Sequence, residues 1–219
     1  MVDFMDKYKE LGVRFYSMKK ALELYSVGKR GEGIILETGT TRMKDDWGAG
    51  MSTLVFGDFC KQYGGKTYTV DISPQNIDMC KEITKDYSDH IEYVVSDSLF
   101  FFTQFKTSID LLYLDSYDYP YGELLDIYGG KEDINEAAKK LRSLTTDEII
   151  EKHFNIINPS QEHQLKELKL ALPLLHEKSV ILLDDNELPG GGKTRLSREY
   201  LQSIGWIEVM SSQQSLWIH

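Results

Sequence analysis

A chain of 219 residues with 41% hydrophobic and 27% charged residues has enough apolar mass for one sizeable core, so a single soluble domain spanning 1–219 is expected. Its formal net charge of −10 argues against nucleic acid as a partner, because duplex binding draws most of its affinity from basic contacts to phosphate. No run approaches the ~20 apolar residues of a membrane span, and the opening MVDFMDKYKE is charged where a secretory leader would be apolar. Cys60 and Cys80 lack metal or redox spacing, so a cytoplasmic protein without membrane association is expected.

The first predicted element is a helix from about Asp3 to Val27, within an N-terminal segment 1–30. Phe4, Tyr8, Leu11, Phe15, Met18, Leu22 and Tyr25 recur at spacings of four and three, which makes one apolar stripe, and Gly28 ends it. The stripe suits packing on the domain, a lid over a ligand, or a homodimer contact. After it the period changes. GIILET, KTYTVDI, IEYVVSD, IDLLYLD and SVILLDD are short apolar runs, each stopping at an acidic or polar residue. Helical segments Met51–Tyr63, Pro74–Tyr87 and Ser98–Phe105 separate the first four, with Ser73 as an N-cap and Pro74 in the first turn.

Apolar strands alternating with helices predict a doubly wound α/β fold with a mostly parallel, Rossmann-like sheet covered by helices on both faces. The closing GWIEVMSS–QQ–SLWIH reads as an antiparallel C-terminal hairpin, bringing the sheet to seven strands. Right-handed crossovers put Glu37, Asp71, Asp97, Asp115 and Asp184 on one rim, where open α/β sheets bind ligands. Residues 119–159 interrupt the rhythm. They read as a helical insertion over that rim, with helices at Ile134–Leu144 and Thr146–Phe154.

The first strand leads into ETGT and then GAGMST, which offers close backbone approach and a helix amino-terminus to a polar ligand. Asp71 is placed to accept hydrogen bonds from ribose hydroxyls, and Asp97 to meet an adenine edge. Taken singly, each acid caps a helix; at successive strand ends, they favour a nucleoside binder.

In the order ETGT…GAGMST, VDIS, SDS, LLYLDSYD, SVILLDD and terminal hairpin, the chain resembles a class I S-adenosylmethionine-dependent methyltransferase. The resemblance implies S-adenosyl-L-methionine as cofactor. The Glu37–Gly39–Thr40 loop would face its methionine part, Asp71 its ribose, and Asp97 with Ser98 its adenine. Thr41, Ser52, Thr53, Ile72 and Asp115 complete the implied cofactor-binding set. The loop between Gly39 and Gly50 is longer than the family's compact glycine loop, which leaves Arg42, Asp45, Asp46 and Trp47 without assigned roles.

Asp115 after the fourth strand, with Asp184 and Asp185 after the fifth, would place three carboxylates in one cleft. Mutual repulsion there calls for a positive partner, and a hard divalent cation takes oxygen ligands. The same pattern resembles the metal-dependent O-methyltransferases of the catechol and macrocin sugar types, implying Mg²⁺ or another dication on Asp115, Asp184 and Asp185. A shift of one residue selects Asp185 and Asn186 instead. Where catechol-type enzymes carry a lysine after the strand-four acid, this chain has Ser116, Tyr117, Asp118 and Tyr119. That departure favours a sugar, glycan or other polyhydroxylated acceptor, with Asp115, Asp118 or His153 as the base. Lys193, after PGGG, reads as a substrate contact or a solvated loop lysine. Two alternatives stand beside this reading: a metal-independent methyltransferase on another acceptor, and a nucleoside-binding module without catalysis.

Overall fold

In the computed structural model, which describes residues 2–26, 31–48 and 51–219, the apolar runs form one seven-stranded sheet. β1 (Gly31–Thr38), β2 (Gly64–Asp71), β3 (Ile91–Val95), β4 (Ile109–Leu114) and β5 (Leu175–Leu183) are parallel. β6 (Ile207–Ser211) and β7 (Ser215–Ile218) form the expected antiparallel hairpin. The order is β3-β2-β1-β4-β5-β7-β6, so the hairpin joins through its second strand and β6 takes the edge. The winding reverses between β1 and β4, which opens a crevice at their carboxyl ends.

Side chains alternate across this sheet and fill two apolar layers. Leu111, Tyr113, Val180, Leu182 and Leu216 pack with residues of α2 (Arg14–Tyr25) and α3 (Ser52–Tyr63). Leu112, Leu114, Ile181, Leu183 and Trp217 face the other way, onto Phe102 of α5 (Ser98–Gln104), Leu168 and Leu201. All six residues of β4 are buried, as a parallel strand covered on both faces requires. On the rim, Ser73 caps α4 (Pro74–Ile83) by accepting from the Asn76 amide at 3.2 Å, and Asp97 caps α5 by accepting from the Phe100 amide at 2.9 Å.

The N-terminal stripe is buried throughout, but not as one helix. α1 (Val2–Met5) and a 3₁₀ segment (Asp6–Leu11) precede α2, and Gly12, at φ 60°, separates them from it. The stripe packs into the chain's own sheet layer. The predicted stop at Val27–Gly28 lies outside the described residues.

The insertion holds α6 (Tyr121–Ile127), α7 (Ile134–Arg142) and the start of α8 (Thr146–Ala171), around a core of Tyr119, Leu124, Leu125, Leu141, Ile149 and Ile157. A capping box between Thr145 and Glu148 starts α8. The sequence predicted an end near Phe154 and a boundary at Pro159. Instead, the helix bends at His153 (φ −127°, ψ 18°) and runs on through Pro159. A proline removes one rung of the ladder, and burial of Leu168 and Ala171 against the sheet outweighs that loss. Among the described residues, no helix is long and apolar enough to cross a membrane.

Candidate functional site

A cavity of about 870 Å³ opens over the strand ends. Gly39, Thr40, Ser52, Asp71, Ile72, Asp97, Ser98 and Asp115 of the predicted cofactor set line it. The end of β1 meets β4 closely: a Cβ on Gly39, at φ 81°, would stand 2.6 Å from the Asp115 carbonyl oxygen. Asp71 is held by the Ser73 amide at 2.8 Å and by Asn76 Nδ2 at 3.2 Å from both carboxylate oxygens. A carboxylate has about four acceptor sites, so about one remains for a ribose hydroxyl. These residues fit the ribose of an adenosyl cofactor. Ser98 Oγ lies 3.2 Å from His163 Nε2, and the His163 ring packs on Tyr117 at 5.1 Å between centroids.

Glu37, Thr41 and Thr53 lie beneath the loop instead of on the cavity. Thr53 donates to Glu37 through its hydroxyl, and the Thr41 amide donates to Thr53 Oγ1 at 3.1 Å. Burial, only partly opposed by hydrogen bonds from Thr53, Ser52 and Thr69, pushes the Glu37 carboxyl up to about 7. The expectation that Glu37 faces the methionine end is therefore corrected: its side chain is fully buried and braces the loop from below. Ala49 and Gly50 of the GAG motif lie outside the described residues.

The three acids at the tips of β4 and β5 do converge, and their positive partners are side chains. Asp184, fully buried, accepts from Arg14 Nε at 2.9 and 3.1 Å, from the Tyr113 hydroxyl at 2.6 Å and from the Asp185 amide at 2.8 Å. Lys193 is only 1% exposed. Its Nζ donates to Asp115 Oδ1 at 2.8 Å and stands 3.3 Å from Asp185 Oδ2. Burial opposes the charge on all of these groups. At Asp184 the attraction of Arg14 and Lys193 wins and holds the carboxyl below the ordinary range. At Asp115 burial wins over Lys193 and raises the carboxyl well above it; Asp185 is raised as well. Burial likewise works against the ammonium, but Asp115 and Asp185 outweigh it and raise Lys193.

The sequence reading placed Lys193 in solvent or against substrate. Three left-handed residues, Gly190, Gly191 and Gly192 (φ 67°, 84° and 63°), curl it inward instead, and its amide donates to the Asp185 carbonyl at 2.9 Å. Arg14 was not anticipated at all. Its signal was present: an arginine one turn from Leu11 and Met18, on the buried side of an apolar stripe.

These donors do not fit a divalent cation. Mg²⁺ requires near-octahedral oxygens at about 2.0–2.1 Å, yet Asp184 is committed to Arg14 and Tyr113 and lies off the cavity lining. The Lys193 ammonium stands between Asp115 and Asp185, where the metal would have to sit. Among the described residues, no cluster of His, Cys, Asp and Glu is arranged to hold a metal. The alternative ligand Asn186 donates to the Ser212 carbonyl at 2.7 Å and accepts from Thr194 at 2.8 Å, so it is a structural pin.

Of the other predicted bases, Asp118 lies at the cavity mouth, held by Arg42 at 2.9 and 3.1 Å, and that pairing lowers its pKa. His153 sits inside the insertion, 2.8 Å from the Tyr128 hydroxyl and away from the cavity, because the bend in α8 turns it into that core. α8 grips the glycine loop just past the insertion: Gln161 Nε2 donates to the carbonyls of Gly190 at 3.2 Å and Gly192 at 2.8 Å.

Residues 47–146 match a family model described as a methyltransferase domain. No curated protein sequence matches the chain. Among solved structures, SAH-bound PaMTH1 of Podospora anserina aligns at TM-score 0.57 and 12% identity, over 99% of this chain and 86% of that one. CalS11, described as a TDP-rhamnose 3′-O-methyltransferase of calicheamicin biosynthesis, aligns at 0.55 and 13%, over 93% and 77%. A Streptococcus mutans chain solved with SAH gives 0.56 and 8%, over 91% and 94%. At these identities the likeness is one of fold. The chain therefore has the fold of class I methyltransferases, and the methyltransferase-domain match lies on that fold over residues 47–146.

Proposed function

We propose that the chain methylates a hydroxyl of a sugar, a glycan or another polyhydroxylated small molecule. The observation that carries this reading is the shared position of Asp115. It lines the cavity together with the cofactor residues, and it belongs to the acid cluster at the tips of β4 and β5. When bound, the cofactor supplies a methyl group on a positively charged sulfonium.

The protein's residues supply the rest. Asp71 orients the donor end. Asp115, raised by burial and lining the cavity, is the carboxylate placed to accept the hydroxyl proton. Asp118, lowered by Arg42, is too weak a base for that role and serves instead to hold acceptor hydroxyls. The carboxylates of Asp115 and Asp185 on the cavity wall favour a cationic donor. Arg42, Asp118, Tyr117 and Tyr121 line the mouth and give it the polar groups that a polyol needs. The printed description of CalS11 as a sugar O-methyltransferase agrees with this choice of acceptor.

The test is a panel of free sugars, nucleotide sugars, polyols and catechols incubated with methyl-labelled cofactor, with products read by mass spectrometry. An O-methylated sugar or polyol is the expected product. Transfer only to amines or thiols overturns the reading.

A further inference from the structure

Arg14 and Lys193 both brace the acid cluster, and Arg14 Nη2 also stands 3.8 Å from Asp185 Oδ1. Arg14 holds Asp184, which does not face the cavity. Lys193 bridges Asp115 and Asp185, which do. The ammonium approaches from behind, itself outside the lining and nearly inaccessible, on a loop fixed by its left-handed glycines and by Gln161. Asp185 has φ 61°, a conformation a residue with a Cβ adopts at a cost, and it turns the carboxylate toward Lys193. Oxygen ligands of one Mg²⁺ would lie about 2.0–2.1 Å from it. An ammonium 2.8 and 3.3 Å from the same two carboxylates fills that gap, so the two cations exclude each other.

We propose that the Lys193 ammonium is the resident counter-ion of the acceptor site, standing where a dication would otherwise be required, so that methyl transfer proceeds without metal. Lys193 is a positioning residue: it keeps Asp115 and Asp185 side by side and aimed at the acceptor hydroxyl. The inference rests on the methyl-transfer reading above, but its central measurement does not need turnover.

That measurement is a Mn²⁺ titration of the full chain followed by electron paramagnetic resonance, with and without S-adenosylhomocysteine. The wild type should show no stoichiometric site, and its turnover should be unchanged in excess chelator. Lys193→Ala should acquire a Mn²⁺ site that Asp115→Asn removes. Its turnover should fall about 100-fold, with S-adenosylhomocysteine affinity retained and partial recovery on adding ethylammonium. Lys193→Met keeps most of the side-chain volume and serves if the alanine variant does not fold; it should show the same loss of turnover. A wild-type Mn²⁺ site abolished by Asp115→Asn, or turnover lost in chelator and restored by Mg²⁺, overturns the proposal and leaves the methyl-transfer reading standing. Absence of S-adenosylhomocysteine binding overturns the methyl-transfer reading, while the titration still decides the cation question.

Discussion

Asp115 and Asp118 stand three residues apart and meet opposite electrostatic surroundings. Burial raises Asp115, whereas two hydrogen bonds from Arg42 lower Asp118, which is 73% exposed in its side chain. Asp115→Asn should therefore lower kcat by about 10²–10⁴, the usual worth of a positioned acid–base group, while S-adenosylhomocysteine still binds. Asp118→Asn should act mainly on KM for the acceptor; equal losses of kcat in both variants would contradict this division. Glu37 provides a separate test. Folded, it keeps its proton up to about pH 7, against an ordinary value of 4.5. Folding takes up a proton between those values, so its contribution is complete below the lower one and disappears as pH rises through the upper one. Between about pH 5 and 8 the wild-type melting temperature should fall relative to that of Glu37→Gln, whose side chain never ionises. Parallel curves would show that Glu37 carries its charge when folded.

At the scale of elements, the turn between β5 and α9 (Arg195–Ser203) sets the chemistry. A Cβ at Gly192 would lie 2.0 Å from the Asp185 carbonyl oxygen in a backbone already at φ 63°. Gly192→Ala should thus displace both Lys193 and Asp185. Expected are a loss of several kcal/mol in urea unfolding, as for a broken buried ion pair, and lost turnover; a stable, active variant would mean that the loop adapts. This loop also marks where sequence reading stops. Apolar runs ending in acids revealed the strands, and with them Asp71, Asp97, Asp115 and Asp185, because strand direction alone aligns those positions. The seat of Lys193 depends on three successive left-handed torsions and on Gln161, from thirty-two residues earlier in the chain, and no local pattern encodes that combination. α8 exceeded its expected length for a similar reason. Proline is a local signal, while the apolar contacts that carry the helix past it come from the sheet.

At the scale of the molecule, the cavity lies along the line where the winding reverses, and its walls come from β1 through β5, α2 and the insertion. A ligand bound there ties together segments distant in sequence and stabilises only the folded chain. S-adenosylhomocysteine at about 100 times its dissociation constant should add about 2.7 kcal/mol. For a domain of this size that is a rise of about 5–10 °C in melting temperature, whereas NAD should leave it unchanged. A shift with NAD instead would point to a different dinucleotide pocket.

The contact of Gln161 with the carbonyls of Gly190 and Gly192 has a consequence for redesign. The segment that overhangs the mouth is the natural target for altering acceptor preference, but it is not modular, because its last helix, α8, runs on to Gln161. A transplanted helix without glutamine at that position would unseat the ammonium below, and the hybrid would fail at bond-making before any change in selectivity could show.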